Sequence, residues 1–556
     1  MRVTQVLAAN FKKWGVDHIF GIPGKPISPI MLDFDAEGIE FVLTRHESGA
    51  GFAASGYAMM NRTLGVAVGT SGPGGTNLLT AAGQAKAYHV PLLILTGQPS
   101  AEDSGKAMGQ DSSLFGTDLV KMFEPVTLFS ARVERADLVQ RYVQHAIEKA
   151  CSGIKGPAHL CIPFDILTAS IEPFSIPLPT HIPKLISPNL DDAIELIGNA
   201  RKPVLLLGKG VMAANAYEEV RTLAESFRLP VILSPGGKGA FPTSHPLCLG
   251  NFGLGGTEAA RQYLKSGVDL MIVVGSKLSD MTLSGFTPEM MPQQVIHFDC
   301  DATFVGKALP VKTCLVLGDA KENLQRMNAR LKKGAGFIEL EHTAAQAAAA
   351  ATAGEVEETP LSDAEAGVLS AVDAVRALRD ALPSDAIVFG DDGSHTFYAL
   401  QHFAVEQAGT FVFDDVFGAM GHAIGYAIGA KAAAPDRTVV CLTGDGCIMM
   451  HGTEVSTAAN HRLPVIFVVL NNGRLDMVDK GMSYNTGRSV GAIYTAPLDA
   501  VMFAQSLGAA GHRCFDADQV RTAVTVALRH NGPTVIEIMV DPLEIPPILT
   551  RLLTLD

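Results

Sequence analysis

The chain reads as an α/β protein of three doubly wound parallel-sheet domains, for three reasons. Short apolar runs alternate with helix-patterned segments from end to end, the mark of parallel strands joined by crossover helices. At 556 residues the chain is long for one core and comfortable for three. It carries 55 glycines but only 6% aromatic residues, which suits many tight strand-to-helix turns.

The N-terminal segment patterns as an amphipathic helix running into a strand, without the cleavage site of an export signal. Strands are expected at 18–22, 41–44, 65–68, 91–96 and 159–162, giving a first domain over residues 1–171. Residues 172–188 hold Pro173, Pro177, Pro179, Pro183 and Pro188 and read as an extended linker. A second domain is expected over 189–330, opening on the apolar run before Gly208 and holding a strand at 270–274. The alanine-rich tract at 343–358 reads as a solvated linker or short helix. A third domain is expected over 362–545, with strands at 386–389, 438–443 and 465–470.

The formal net charge of −14 leaves no basic stripe to track a nucleic-acid backbone. No apolar run reaches the length of about 18 residues that a membrane span requires. Eight cysteines are scattered without a CxxC pair, which suits a reducing cytoplasm and offers no zinc site.

The stretch from Gly444 to Asn472 carries the most chemistry. An apolar strand breaks into Gly444-Asp445-Gly446, a helix-like segment follows, and a second apolar strand ends in Asn471-Asn472. Glycines flanking Asp445 let backbone N–H groups approach a polyphosphate. Parallel neighbouring strands would bring Asp445 and Asn472 together at their carboxyl ends. Such oxygen ligands suit Mg²⁺, which takes one or two carboxylates and shares its shell with ligand phosphates.

Here the sequence resembles the thiamine diphosphate (ThDP) enzymes, specifically their acetolactate synthase-like branch. The resemblance implies that the two motifs anchor the cofactor's diphosphate through Mg²⁺. Asp445 and Asn472 would give side-chain oxygens and Arg474 its backbone carbonyl, while Gly444, Gly446 and Cys447 complete the turn. It also implies pyrimidine-binding, central and diphosphate-binding domains in that order.

Thiamine chemistry makes one further demand. The cofactor is its own electron sink, but its 4′-amino group takes the C2 proton only when a carboxylic acid bonds the opposite ring nitrogen. Arg45-His46-Glu47, followed by small residues, matches the family's context for that acid, and burial suits a carboxyl that works by sharing a proton. Read without the family, Glu47 is a helix-capping residue. Glu47 and Asp445 lie in different domains, which in this family meet across a subunit interface, so a homodimer or homotetramer is implied.

By the same resemblance Met420, in Gly418-Ala-Met420-Gly421, is the wedge under the bent cofactor, and Gly418 offers a carbonyl to the 4′-amino group. Gly393, Ser394 and His395 occupy the diphosphate-facing turn; Ser394 stands where the family has Gln, so only the backbone contacts of Gly393 and His395 transfer. Gln110 matches a glutamine facing the substrate side, and Gly72 belongs to a glycine-rich turn near the pyrimidine. Lys25 would hold an acidic substrate group. Gly481 stands where acetolactate synthases carry an acceptor-selecting Trp, leaving room for a larger acceptor or donor.

No two of the 16 histidines are adjacent, so the His-His pair of aldehyde-releasing decarboxylases is absent. That absence favours carboligation, because an unprotonated carbanion survives to attack a second carbonyl. In the second domain Gly208-Lys-Gly210-Val-Met-Ala213 is a weak dinucleotide signal that leaves FAD, ADP or an empty site open. The reading is therefore ThDP- and Mg²⁺-dependent decarboxylation of a 2-oxo acid such as pyruvate, with transfer of the acyl-anion equivalent to a carbonyl acceptor. Alternatives are pyruvate oxidase-like or sulfoacetaldehyde acetyltransferase-like acyl transfer, or a non-catalytic nucleotide-sensing member.

Overall fold

The computed structural model describes residues 1–179, 185–334 and 368–547. Three six-stranded sheets are present, and every strand pairing within them is parallel. The first holds β1 (His18–Gly21), β2 (Glu40–Leu43), β3 (Gly65–Gly69), β4 (Leu92–Gln98), β5 (Phe129–Arg132) and β6 (Pro157–Pro163). The second holds β7 (Pro203–Leu207), β8 (Val231–Leu233), β9 (Cys248–Asn251), β10 (Leu270–Val274), β11 (Gln294–Asp299) and β12 (Lys312–Leu317). The third holds β13 (Ile387–Gly390), β14 (Phe411–Phe413), β15 (Val439–Gly444), β16 (Val465–Asn471), β17 (Ala510–Cys514) and β18 (Thr534–Met539). Central strands such as β15 and β16 are buried along their whole length, as continuous apolar runs covered by helices on both faces must be.

The outer two sheets share one design. Their orders, β2-β1-β3-β4-β6-β5 and β14-β13-β15-β16-β18-β17, match position for position. In each, the chain leaves the first strand to one side and returns to build on the other, opening a crevice between the carboxyl ends of the first and third strands. The middle sheet runs β12-β11-β10-β7-β8-β9, with its own reversal between β7 and β10.

Five helices frame the carboxyl edges of the outer sheets or brace them: α1 (Val3–Lys13), α2 (Glu47–Asn61), α3 (His422–Ala433), α4 (Asp445–His451) and α5 (Asp476–Thr486). The segment expected as one helix between β15 and β16 is α4, a single 3₁₀ turn and a second short helix, Val455–Asn460. Helix α2 is rich in small residues and almost wholly buried, and it crosses α3 of the third domain at backbone distance. A side chain on Gly56 would run into the Tyr426 carbonyl, and one on Gly429 into the Ala53 carbonyl. One apolar core consequently spans the first and third domains.

The proline-rich segment has no regular structure over 171–179, but it is tied down to α1 and the residue after it. Asn10 accepts from the Ile176 N–H (2.8 Å), and the Trp14 indole donates to the Ile176 carbonyl (2.7 Å). Residues 180–184, the tract at 343–358 and residues 362–367 lie outside the described residues. Among the described residues no helix is long and apolar enough to cross a membrane.

Candidate functional site: a cavity at the third sheet and a facing edge at the first

The crevice of the third sheet opens into a cavity of about 310 Å³. Its wall includes Gly393, Ser394 and His395 after β13, Gly444, Asp445, Gly446 and Cys447 after β15, Asn472 and Arg474 after β16, and Met420. Parallel register explains the convergence, since Gly444 pairs with Leu470 and both strands end at the same level.

Asp445 is 4% exposed; its Oδ1 accepts from the Gly446 N–H (2.9 Å) and its Oδ2 from the Arg474 N–H (3.1 Å). Burial pushes its carboxyl up to about 6. The two asparagines divide their work. Asn471 is structural, donating to Glu537 (2.7 Å) and the Leu498 carbonyl (3.0 Å) and accepting from the Gly473 N–H, while Asn472 forms part of the cavity wall.

A side chain on Gly444 would meet the His395 ring, and one on Gly446 would meet Leu475 and Met420. The turn must therefore be glycine on both sides of Asp445. His395 is buried, its imidazole lowered to about 4 by that burial, and its Nε2 has no hydrogen-bond partner. Uncharged and set against the Gly393 and Gly444 turns, it can serve as a neutral donor. A buried carboxylate and an amide at adjoining strand ends, with a free imidazole nitrogen beside them, fit a diphosphate held through a divalent cation.

Lys25, Glu47, Gly72 and Gln110 lie at the corresponding edge of the first sheet. Lys25 follows β1 and Gly72 follows β3; Gly24 packs on Thr70, and Gly72 packs on Gln110. Gln110 adopts a left-handed conformation at φ 56°. Lys25 and Gln110 are exposed. Glu47 begins α2 just after β2, is 7% exposed, and accepts from the Asn77 amide (2.8 Å). None of these four lines the third-sheet cavity of the same chain. Gly418 and Gly481 also lie outside the cavity wall; a side chain on Gly481 would meet nothing within 4 Å.

Sequence reasoning missed several residues. Leu254 and Met281 of the second domain close one side of the cavity, and Asp476, Met477 and Val478 at the start of α5 close another. Glu454 was also missed. It accepts from the N–H groups of Arg45 (3.0 Å) and His46 (2.8 Å), so the turn that presents Glu47 is tied to the third domain of its own chain. No local signal in the sequence links those residues.

In the second domain, Gly208 and Gly210 press against the backbone of Gly275, and the Gly210 N–H donates to the Gly275 carbonyl (2.9 Å). Lys209 leaves the crevice to lie over the Tyr88 ring at 4.4 Å. These glycines are accounted for by turn-on-turn packing, so on their own they carry no argument for a bound nucleotide.

Fold and site together define a class: an α/β protein whose third sheet ends in a glycine-turn cavity carrying a buried carboxylate, and whose first sheet repeats the same topology. Family models for thiamine pyrophosphate enzymes match in order: the N-terminal TPP binding domain over 1–119, the central domain over 190–327 and the C-terminal TPP binding domain over 391–538. The acetolactate synthase large subunit of Corynebacterium glutamicum is 32% identical over 560 residues, spanning 97% of this chain and 87% of its own. The acetolactate synthase of Mycobacterium bovis is 34% identical over 555 residues (96% and 87%), and isozyme 2 of Escherichia coli K12 is 31% identical over 550 (98% and 96%). The chain belongs to the thiamine pyrophosphate enzyme family, in its acetolactate synthase branch.

Proposed function

We propose that this enzyme decarboxylates a 2-oxo acid, pyruvate or a close relative, and transfers the acyl-anion equivalent to a carbonyl acceptor, with ThDP and Mg²⁺. The observation that carries this reading is the convergence of Gly393–His395, Met420, Gly444–Cys447, Asn472 and Arg474 on one cavity. ThDP, when bound, supplies the electron sink for the carbanion.

The chain's own residues do the rest. Asp445 and Asn472 hold the cation with the Arg474 carbonyl, and His395 and the Gly393 turn receive the diphosphate. Met420 supports the bent cofactor and Gly418 accepts from its amino group. Glu47 shares a proton with the pyrimidine ring; its isolation from the same chain's cavity supports supply from a partner chain in a homodimer or larger assembly. Gln110 and Lys25 face the substrate, and the open space at Gly481 admits an acceptor larger than a Trp would allow.

The test is to incubate the purified protein with ThDP, Mg²⁺ and a panel of 2-oxo acids and aldehydes, then identify the products. Coupled 2-hydroxy ketones and CO₂ are expected. Acetyl phosphate instead would move the assignment to acyl transfer, and no ThDP-dependent CO₂ release would end it.

A further inference from the structure

A cluster that reaches the cavity wall through one of its members has no role in the proposed function. One ligand-type atom from each of Asp391, Asp392 and His422 lies within 4.8 Å of the others. The two carboxylates are not equivalent. Asp391 is fully engaged: its Oδ1 accepts from the N–H groups of Gly421 (2.8 Å) and Asp392 (3.0 Å), and its Oδ2 from the Thr443 hydroxyl (2.9 Å).

Asp392 points elsewhere. It forms part of the cavity wall, and its buried Oδ2 has no aligned hydrogen bond, only His422 Nδ1 at ion-pair distance, 3.2 Å. Its Oδ1 lies 3.9 Å from where a side chain on Gly418 would begin. The carboxyl therefore sits between the diphosphate turn and the Gly418–Met420 motif.

His422 is buried at the start of α3, edge-on to the rings of Phe52 and Tyr426. A cation at a helix N-terminus is ordinarily unfavourable. Burial opposes its charge too, yet the carboxylates of Asp391 (3.3 Å) and Asp392 outweigh both and hold the imidazole well above its usual range. Burial is the main influence pushing Asp392 upward, and His422 pulls it back. The other groups facing Asp392 are Asp391, Asp414, Asp415, Tyr426 and Cys447.

We propose that Asp392, positioned by His422, is a second proton-handling carboxyl of this active site, serving the amino edge of the pyrimidine while Glu47 serves its ring nitrogen. This rests on the proposed function, in which Gly418 accepts from that amino group. The exchange balances: a proton passes from the Glu47 carboxyl to the ring nitrogen, and one amino N–H bond breaks with its proton going to Asp392 Oδ1, the oxygen on the Gly418 side, while Oδ2 stays against His422. The electron pair stays on the nitrogen, Glu47 is left ionised and Asp392 neutral. His422 touches neither substrate nor cofactor and is a positioning residue.

The test uses the full-length protein loaded with ThDP and Mg²⁺ and compares Asp392→Asn, Asp392→Ser and Asp392→Glu with Glu47→Gln. ThDP affinity is read by calorimetry, the tautomer of the bound pyrimidine by circular dichroism across pH, and C2 proton exchange by NMR. For Asp392→Asn and Asp392→Ser we expect affinity within about threefold of wild type, a dichroism midpoint moved by about one pH unit or more, and exchange slowed at least ~10-fold. Asp392→Glu, which keeps the carboxyl, moves both readouts back towards wild type. A wild-type midpoint and exchange rate in whichever of the Asn and Ser variants folds would overturn the role of Asp392. Slowed exchange in Glu47→Gln alongside that result leaves the proposed function standing. Absence of ThDP binding by the unmutated protein would remove both.

Discussion

The carboxyl edges of the first and third sheets make an instructive pair, because the same strand order produces two differently finished sites. At the third sheet, polar groups from three strand ends line one cavity. At the first, the buried Glu47 carboxyl stands near exposed residues, Lys25 and Gln110, and shares no cavity with Asp445 and Asn472 of its own chain. Topology fixes where a site can form, and the side chains at the turns decide what each edge contributes. In the proposed function one edge grips the coenzyme and the other is brought up against it.

Substitutions can separate those two duties. The largest effect is expected for Glu47→Gln: ThDP still binds, but C2 proton exchange measured by NMR slows by ~10²–10⁴-fold. Asp445→Ala should do the reverse, weakening ThDP affinity by ~100-fold or more in calorimetry at fixed Mg²⁺, because the cation loses its only carboxylate at that turn.

Co-expressing the two variants sharpens the contrast. If the edges of different chains face each other, half the dimers formed at random are mixed and each has one intact site, restoring about a quarter of wild-type turnover. Turnover no higher than that of the single variants would place both residues in one chain's site. Next in size, Gly481→Trp should fill the open space beside α5 and cut kcat/KM for bulky acceptors relative to small ones by ~10-fold, read from product ratios.

The smallest effect lies away from both edges, at the contact of the second and third domains. Lys238 is 2% exposed, donates to the Leu400 carbonyl (2.8 Å), and is pushed by burial down to about 7 from an ordinary 10.5. Between those values the folded lysine is neutral and the unfolded one charged, so unfolding takes up a proton and native stability rises with pH across that window. Below about 7 the cost is fully present. Lys238→Met should therefore stabilise the protein by about 1–2 kcal/mol at pH 7 in denaturant titrations, with the gain fading towards pH 10.

What could be read in the sequence was whatever is local. The β15–β16 unit announces itself because polar residues close two long apolar strands, and Asn471 is told apart from Asn472 only once Glu537 is brought alongside. The edge strands β5, β14 and β17 escape notice: β14 is three residues long, and β5 and β17 are partly exposed and carry polar residues, as unprotected sheet margins do. Asp392 is visible as a turn residue, but its partner His422 lies on another element. Glu454 is legible only as a polar residue in a short helix, because the backbone it receives belongs to Arg45 and His46, two domains earlier.

That long-range anchor has a mechanical consequence. With Glu454 gripping the turn before Glu47 and α2 wedged glycine-to-carbonyl against α3, the outer two domains of one chain behave as a single block. Those contacts hold Glu47 away from the third-sheet cavity of its own chain. If the coenzyme is held between two chains as proposed, its admission and release depend on how two such blocks part, and its retention should follow protomer concentration.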